Sequence, residues 1–373
     1  MTVSVNGTTG ITFNDASTQN TAASGFGFKN RIINGAMMID QRNAGASVTN
    51  TASTIYSLDR WQLNGSQASK FTVQQNAGSV TPPTGFTKYL GVTSSSAYSI
   101  GAGDYFNIAQ AIEGLNIADL GWGTANASTV TLSFWVRSSL TGTFGGSITN
   151  SAYSRSYPYT YTISSANTWE QKTITIAGDT TGTWLTTNEK GMNVLFGLGV
   201  GSTYSGTAGA WAGTNYNSAT GATSVVGTNG ATFYITGVQL EKGSTATSFD
   251  YRPYGTELSL CQRYLPMISC DSSSGGQFAV GQASGTTAAE FHLRFPVTVR
   301  TAATGLVIDT VSNLRCANAA ISGSPTVTSL GFLSGNSDSA RFSAFVASGL
   351  VAGNATLLVP VGATKLYFTG CEL

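Results

Sequence analysis

Short runs of alternating apolar and polar residues recur through residues 66–240, and almost no stretch there has the period of a helix. In residues 131–137, Leu132, Phe134 and Val136 would point to one side of a strand and the residues between them to the other. Glycine, asparagine, serine and proline separate the runs. The other clear runs are 71–73, 169–176, 193–198 and 232–235. Short strands with turn-rich connections predict an all-β jelly-roll sandwich, with residues 105–120 as a partial helix.

A second group of strand-like runs follows in residues 266–373. Its members are 277–282, 290–299, 305–311, 327–333, 340–346, 355–361 and 365–368. Runs this short and this closely spaced predict a smaller C-terminal β-sandwich.

The stretch between these two groups, residues 233–264, predicts the junction. Its alternation breaks at Gly237, where a β-bulge would restore the inward face of the strand. A polar turn at 242–248 and an extended crossing with Pro253 come next. A short helix then begins, with Thr256 as its predicted cap and Glu257 at its positive end. Its apolar positions fall at i, i+3 and i+7, namely Leu258, Cys261 and Leu265.

Composition limits the classes of partner. Only 9% of the residues are charged, against about 25% in ordinary globular proteins, and the net charge is +1. That balance argues against a nucleic-acid groove or an anionic membrane surface, since both require clustered positive charge. No run reaches the roughly 18 apolar residues of a membrane span, so no membrane insertion is predicted. A 41% hydrophobic content still provides a full core.

The four cysteines, Cys261, Cys270, Cys316 and Cys371, form no C-x-x-C pair. This spacing argues against a zinc site and a disulfide framework. They are predicted to be reduced, mostly buried thiols.

The junction also carries the clearest likeness to a known family. The elements VQLE at 238–241, G-S-x-A-T-x-F at 243–249 and RPYG-x-E-L-x-L-CQRY at 252–264 resemble the closing strand and hinge of the jelly-roll module of bacteriophage tail fibres and tail proteins. Residues 30–42, 56–63, 156–163 and 169–184 are similar to other landmarks of that module. The module is similar in fold to carbohydrate-binding modules, although fold alone does not determine function.

This resemblance implies four parts: an N-terminal virion-attachment arm at 1–28, the jelly roll at 29–254, a neck helix at 255–265 and a tip domain at 266–373. Residues 10–19 are similar to the N-terminal segments of phage tail fibres, and alternation around Gly7 and Gly10 predicts a hairpin in the arm. A disordered tail is the alternative for this segment. The resemblance further implies a homotrimer whose neck shares Leu258, Cys261 and Leu265, a place in the virion, and an arm that contacts other tail or virion proteins.

Catalytic constellations are scarce. The single histidine, His292, falls on the polar face of its run beside Glu290 and Arg294, which favours a surface role. There is no G-x-S-x-G or Walker motif, and the acidic residues are scattered singly rather than paired as in a glycosidase. We therefore expect no enzymatic activity. The charged residues are instead predicted to form structural pairs: Asp40 with Arg42, Asp59 with Arg60, and Asp250 or Glu257 with Arg252 or Arg263.

Aromatic residues are the better candidates for binding, because sugars dock on aromatic faces. Tyr157, Tyr159 and Tyr161 share one face of a predicted strand, and Tyr153 precedes them. Trp211 and Tyr216 lie in a glycine- and threonine-rich loop at 203–229. The alternatives are a structural stripe for the tyrosines and ordinary loop packing for the other two.

The predicted function is a fibre protein that attaches to the phage particle and binds bacterial surface polysaccharide. The alternative is a structural adaptor or decoration protein that contacts only other virion chains. No cofactor is predicted. A structural Ca²⁺, common in carbohydrate-binding jelly rolls, stays an open alternative, and the sequence identifies no ligands for it.

Overall fold

The computed structural model describes residues 28–271, 276–317 and 323–373, and the backbone of three short strands near the N terminus. These are β1 (Ser4–Asn6), β2 (Gly10–Thr12) and β3 (Thr18–Gln19), which form a small antiparallel sheet. The pairing of Val5 with Ile11 confirms the predicted hairpin. The rest of the predicted attachment arm lies outside the described residues.

The first sandwich consists of two six-stranded antiparallel sheets. Its strands are β4 (Val48–Thr49), β5 (Ile55–Tyr56), β6 (Gln62–Gly65), β7 (Phe71–Gln75), β8 (Leu90–Ser94), β9 (Tyr105–Glu113), β10 (Val130–Ser138), β11 (Gly142–Asn150), β12 (Ser156–Ile163), β13 (Glu170–Ile176), β14 (Lys190–Val200), β15 (Ser205–Gly206), β16 (Ser218–Ala219) and β17 (Thr232–Lys242). Sheet I has the order β13-β10-β17-β8-β7-β4, and sheet II has the order β12-β11-β14-β9-β6-β5. Strands β15 and β16 pair with each other in the loop that follows β14.

The core lies between the two sheets. Leu132, Phe134 and Val136 of β10 are fully buried there, as the alternation predicts. They pack in one cluster with Trp61 and Phe196 from sheet II and its edge. Burial of such side chains stabilises the fold by roughly 1.5–3 kcal/mol each.

The predicted helix at 105–120 is wrong. Residues Tyr105–Glu113 form strand β9, and two 3-10 turns, Gly114–Asn116 and Ala118–Leu120, follow. The apolar residues of this stretch fit a period near 3.6, but they also fit a period of 2. In the structure Phe106, Ile108 and Ile112, which are separated by even numbers of residues, all face the core. Pairing with β14 on one side and β6 on the other decides in favour of the strand, since both neighbours bind its backbone.

The bulge predicted at Gly237 is confirmed. The register between β10 and β17 shifts at this point, and Gly237 has φ 61. A Cβ here would lie 2.6 Å from the ring of Phe86, so both the backbone conformation and the close ring require glycine. Further 3-10 turns span Ala77–Ser79, Ser202–Tyr204 and Val311–Asn313.

The single described α-helix, α1 (Tyr254–Gln262), begins directly after Pro253, which takes the capping position predicted for Thr256. Glu257 lies in the first turn, where it accepts a hydrogen bond from the backbone N–H of Asn34. The sandwich thus supplies the carboxylate's partner and holds the start of the helix.

The apolar residues of the helix pack within their own chain. Cys261 is fully buried against Ile33, Ile39 and Tyr264, and Leu265 is 2% exposed. Only Leu258 of the three predicted neck residues keeps partial exposure. Of these three residues only Leu258 is available for a neck contact between chains, and the trimeric state stays a prediction.

The second sandwich is smaller and pairs a three-stranded sheet with a six-stranded one. Its strands are β18 (Met267–Cys270), β19 (Ala279–Ala283), β20 (Ala288–Arg294), β21 (Gly305–Ile308), β22 (Leu314–Ala317), β23 (Val327–Gly335), β24 (Ser339–Val346), β25 (Ala355–Pro360) and β26 (Thr364–Thr369). The sheets have the orders β18-β26-β21 and β22-β25-β19-β20-β24-β23. Phe291, Phe342 and Phe368 form the centre of its core. The all-β fold class, with a jelly roll followed by a smaller sandwich, is thereby confirmed.

The end of the second sandwich binds back onto the first, and this corrects two predicted ion pairs. Arg42 and Arg60 both pair with Glu372 rather than with Asp40 and Asp59. Asp40 instead accepts backbone N–H groups of its own turn, and Asp59 accepts hydrogen bonds from Gln41.

At the helix, one predicted pair is confirmed and one partner differs. Arg252 pairs with Glu257, with a shortest N–O distance of 3.2 Å. Arg263 pairs instead with Glu113 of β9, at 2.6 Å. Asp250 accepts hydrogen bonds from two backbone N–H groups, those of Lys29 and Asn30.

The four cysteines, all of them described, form no disulfide, and three are buried. Burial raises the pKa of the Cys316 and Cys371 thiols to about 11, which keeps both protonated at neutral pH. No helix in the described part of the chain is both long enough and apolar enough to cross a membrane.

Candidate functional site

Sheet II presents polar side chains on the face that points away from the core. Along β9, Phe106 and Ile108 turn inward, so Tyr105 and Asn107 turn outward. Asn193 of β14 lies on the same outer face, where it donates to Thr149 of β11 at 3.0 Å. This row places polar groups on the outer face of the sheet, opposite the apolar side chains of the core.

The outer face is covered only in part. At one end the helix and the second sandwich reach it, because Arg263 and Tyr264 bind Glu113. At the other end β16 packs against β11, β12 and β14. Between these covers lies a cavity of about 210 Å³, which we call the asparagine groove. It is lined by Thr54, Asn64, Tyr105, Asn107, Tyr153, Leu195, Tyr204, Asn215 and Asn217.

The amides of the groove form a one-way chain of hydrogen bonds. Thr54 Oγ1 donates to Asn64 Oδ1 at 2.6 Å, and Asn64 Nδ2 donates to Asn107 Oδ1 at 2.9 Å. Asn107 Nδ2 donates to Asn217 Oδ1, and Asn217 Nδ2 donates to Asn215 Oδ1, both at 3.5 Å. A side-chain amide has two N–H donors and two acceptor lone pairs. In this series of hydrogen bonds Asn64, Asn107 and Asn217 each use one donor and one acceptor. The remaining donors and acceptors can bind a ligand that carries hydroxyl groups.

Aromatic rings complete the walls. Tyr105 and Tyr204 meet edge to face, with ring centroids 5.3 Å apart. Tyr153 stands at the turn between β11 and β12 with φ 56, and 36% of it is exposed. The Nζ of Lys190 lies 4.7 Å from the centroid of this ring and 3.3 Å from its hydroxyl. None of the nine lining residues is charged, so the groove combines neutral amides with tyrosine surfaces.

The tyrosine tract divides between core and surface. Tyr159 and Tyr161 are 1% and 6% exposed and pack in the core, so the prediction that they contact a ligand is wrong. The ring of Tyr161 meets Phe134 at 5.0 Å, and the hydroxyl of Tyr159 donates to Leu195 O at 2.7 Å. Burial raises the pKa of both phenols. Of the predicted tyrosines, only Tyr153 lines the groove.

Trp211 and Tyr216 hold their loop in place. Trp211 packs edge to face against Trp122 and Trp184, with centroids 5.3 and 5.5 Å away, and its Nε1 donates to Ala177 O at 2.8 Å. Tyr157 is half-buried against the same tryptophan at 5.1 Å. The ring of Tyr216 covers Gly206, where a Cβ would come within 2.2 Å of it.

The loop predicted to contain a binding site does contribute to the groove, but through other residues. Asn215 and Asn217 flank Tyr216, and their side-chain amides belong to the series of hydrogen bonds that starts at Thr54. Sequence reasoning looked for aromatic residues and missed the asparagines. The available signal was Asn107 at an outward position of an alternating run, together with the Asn-Tyr-Asn sequence at 215–217.

His292 lies where its alternation predicts. It is exposed on the outer face of β20, opposite Arg341 of β24, and the neighbouring Glu290 pairs with Arg341 at 2.8 Å. Among the described residues, no group of three or more His, Cys, Asp or Glu side chains is placed to hold a metal ion.

Comparison with known proteins reveals only remote similarity. No protein-family model matches the chain, and no curated protein matches it. Among solved structures, the enzymatically active domain of tailspike protein 4 of bacteriophage CBA120 is 14% identical over 57% of this chain and 21% of its own, with a TM-score of 0.31. A putative sugar binding protein from Bacteroides thetaiotaomicron is 12% identical over 58% of this chain and 100% of its own, with a TM-score of 0.32.

A family 11 carbohydrate-binding module from Clostridium thermocellum, solved with a mixed-linked tetrasaccharide, is 10% identical over 55% of this chain and 100% of its own, with a TM-score of 0.27. The chain thus spans 21% of the length of the tailspike domain that it matches. Similarity at this level carries no inference about ligands.

Proposed function

We propose that this protein is a non-enzymatic phage fibre protein that binds a bacterial surface glycan in the asparagine groove. The observation that carries the proposal is the chain of amides from Asn64 to Asn215, set beside the exposed Tyr153 and the half-buried Tyr105 and Tyr204.

A sugar fits the chemistry of this groove. Each sugar hydroxyl both donates and accepts a hydrogen bond, and the central amides offer both functions at neighbouring positions. The two contacts of 3.5 Å are longer than an ordinary N–H···O bond, so these amides lose little when they turn towards a ligand. Tyr153 provides an aromatic surface for the C–H face of a sugar ring. The uncharged lining favours a neutral glycan unit in this position.

The place in a virion is supported by the likeness of residues 233–264 to the hinge of phage tail-fibre modules. In that setting the chain would be a homotrimer, attached to other virion proteins by its N-terminal arm. The three weak glycan sites of one trimer strengthen each other by avidity. Light scattering of the purified protein should give three times the chain mass, and a stable monomer at micromolar concentration would contradict the trimer.

A glycan array and a host-cell binding assay test the function. Wild-type protein should bind a bacterial surface polysaccharide, and Asn107→Ala and Tyr153→Ala should each lose about tenfold in affinity. Tyr254→Ala is the matched control, because Tyr254 is a 60% exposed tyrosine outside the groove. Equal binding by all four proteins would place the ligand elsewhere. Release of new reducing ends from the polysaccharide would contradict the non-enzymatic assignment.

A specific observation also favours a structural adaptor as the second candidate. Val280 and Phe345 are 60% and 41% exposed on the outer face of the six-stranded sheet of the second sandwich. They provide apolar surface that a contact with another virion chain would use. Under this alternative, Phe345→Ser would abolish capture of other virion proteins, and host binding would persist on particles that lack the chain.

A further inference from the structure

Three side chains of complementary reactivity meet where β17 ends and the next turn begins. Gln239 and Glu241 belong to β17, and Thr247 belongs to the turn. Gln239 is fully buried and Glu241 is 3% exposed, whereas Thr247 covers them from the exposed side. None of the three lines the asparagine groove, so the two sites can be tested independently.

The carboxylate of Glu241 contacts both of the other side chains. Gln239 and Glu241 are two positions apart on one strand, so they point to the same side of it. Gln239 Nε2 donates to Glu241 Oε1 at 2.8 Å, and Thr247 Oγ1 donates to Glu241 Oε2 at 2.6 Å. The backbone N–H of Thr247 also donates to Glu241 Oε1, at 2.9 Å, which fixes the turn over the strand. One carboxylate therefore connects a hydroxyl group to an amide group.

The amide of Gln239 is oriented and polarised by its partners. An ionised carboxylate only accepts hydrogen bonds, so the amide nitrogen is the atom beside Glu241. The amide oxygen accepts a hydrogen bond from the backbone N–H of Asp250 at 2.8 Å. A backbone N–H in this position stabilises the negative charge that develops on a carbonyl oxygen during nucleophilic attack. The carbonyl carbon of Gln239 is thereby made more electrophilic.

The hydroxyl group of Thr247 is placed as a nucleophile. Its Oγ1 lies 3.5 Å from Gln239 Nε2, which is bonded to that carbonyl carbon. Glu241 accepts its proton, and the Nζ of Lys29 lies 2.5 Å from Oγ1, where positive charge favours the alkoxide. A hydroxyl group with a base in hydrogen-bond contact is the arrangement that activates serine and threonine nucleophiles.

We propose that Thr247 and Gln239 form an intramolecular ester, with Glu241 as the base. Thr247 Oγ1 bonds to Gln239 Cδ, and the hydroxyl proton passes to Glu241. The Cδ–Nε2 bond breaks with its electron pair on nitrogen, which takes the proton from Glu241 and leaves as ammonia. The step needs no oxidant, reductant or further reactant. The ester closes a ring between residues 239 and 247, which keeps β17 joined to its turn even in the unfolded chain.

Mass spectrometry of the purified, denatured chain tests the ester. The mass should be about 17 Da below that of the sequence, which corresponds to one molecule of ammonia lost in nucleophilic substitution. Trypsin cleaves after Lys242, between the two linked residues, so the peptide 191–242 should stay joined to the peptide that begins at Gly243. Hydroxylamine, which cleaves esters and leaves ordinary amides intact, should separate the two peptides.

Four variants identify the groups that react. Thr247→Val removes the nucleophile and Glu241→Gln removes the base, so both should keep the full mass of their sequences. Thr247→Ser retains a hydroxyl group and should still form the link. Thr175→Val is the matched control, because Thr175 contacts the same turn at Ser244 O and has no carboxylate partner among the described residues; it should link as the wild type does. Circular dichroism checks that Thr247→Val, a change at an exposed position, is folded.

A wild-type chain with the full mass of its sequence would overturn the proposal. So would an equal loss of ammonia from the wild type and from folded Thr247→Val, because a succinimide at an Asn-Gly pair such as Asn34-Gly35 would then explain it. The outcome does not depend on whether the asparagine groove binds a glycan.

Discussion

The two faces of sheet II are built from the same strands and have opposite chemistry. The inner face is aromatic, with Tyr159, Tyr161 and Phe196 in the dry core. The outer face carries Asn107 and Asn193, both buried and both hydrogen-bonded to other polar side chains. Strand alternation alone produces this division, because successive residues point to opposite faces. The aromatic residues that look most like ligand contacts stabilise the core, and the less conspicuous amides form the groove.

A second difference divides the outer face itself. Glu113 and Asn107 both belong to the outward row of β9, yet Glu113 is covered by Arg263 and Tyr264 whereas Asn107 lines an open cavity. Burial raises the pKa of Glu113, but the hydrogen bonds from Arg263 and Tyr264 outweigh it and hold that pKa below its ordinary value. One end of the face therefore joins the two sandwiches, and the other end lines the asparagine groove.

The largest effect is expected on the inner face. Tyr159→Ala should reduce the free energy of unfolding by about 3–5 kcal/mol, because it leaves a cavity in the core. Tyr159→Phe should cost only about 1 kcal/mol, the hydrogen bond to Leu195 O. Tyr161→Phe should cost nothing, since the Tyr161 hydroxyl has no partner among the described residues. Urea denaturation measures all three, and a neutral Tyr159→Ala would mean that this face is not the core.

The junction end of the outer face should respond next. Glu113→Ala should reduce the free energy of unfolding by about 3 kcal/mol, because it removes the partner of Arg263 from a buried position. Glu189→Ala is the matched control: its side chain is 62% exposed and lies 3.8 Å from Arg300, so the loss should stay below about 0.5 kcal/mol. Similar losses for the two variants would show that the junction behaves as an ordinary surface.

A pH dependence of similar size is expected from Asp59, which lies beside the junction. Burial raises the pKa of Asp59 from 3.8 to about 6, which corresponds to about 3 kcal/mol. In the unfolded protein the Asp59 carboxyl group ionises at a lower pH than in the folded protein. The stability that results from the raised pKa is therefore complete below about pH 4 and is lost as the pH rises through about 6.

Asp59→Asn removes this titration. Its free energy of unfolding should therefore fall less than that of the wild type between about pH 4 and about pH 7. Glu113 acts with the opposite sign, because its lowered pKa gives stability that is lost as the pH falls. Denaturation midpoints of the wild type, Asp59→Asn and Glu113→Ala, measured between about pH 4 and about pH 7, separate the contribution of Asp59 from that of Glu113. Parallel curves for the wild type and Asp59→Asn would rule out the raised pKa.

Among the truncations to alanine at buried or half-buried positions, those in the groove are expected to lose the least stability. Asn64→Ala and Asn107→Ala should each cost about 1–2 kcal/mol, because each leaves a polar partner unpaired. In the double variant the two losses should fall short of additivity by about 0.5–1 kcal/mol, since both remove the same hydrogen bond. Additive losses would mean that the amides act separately rather than as one chain.

Several features were predictable because they depend on neighbours in the sequence. The alternation of β10, the bulge at Gly237 and the outward position of His292 follow from the strand period and from the special conformation of glycine. The helix predicted at 105–120 failed because its apolar residues fit two periods, and only pairing with β14 and β6 decides between them.

The ionic partners of Arg42 and Arg60 could not be predicted either. Both arginines bind Glu372, more than 300 positions away in the chain, and nothing local indicates such a contact.

The sequence by itself determined that the chain forms two successive β-sandwiches with a helix between them, because strand patterning and turn residues are local properties. Only the tertiary structure decided which polar residues meet. The asparagine groove needs Asn64, Asn107 and Asn217 from three distant segments. Hydrogen bonds depend on distances that appear only when the sheets close. The recognisable hinge of the chain and the asparagine groove are therefore made of different residues.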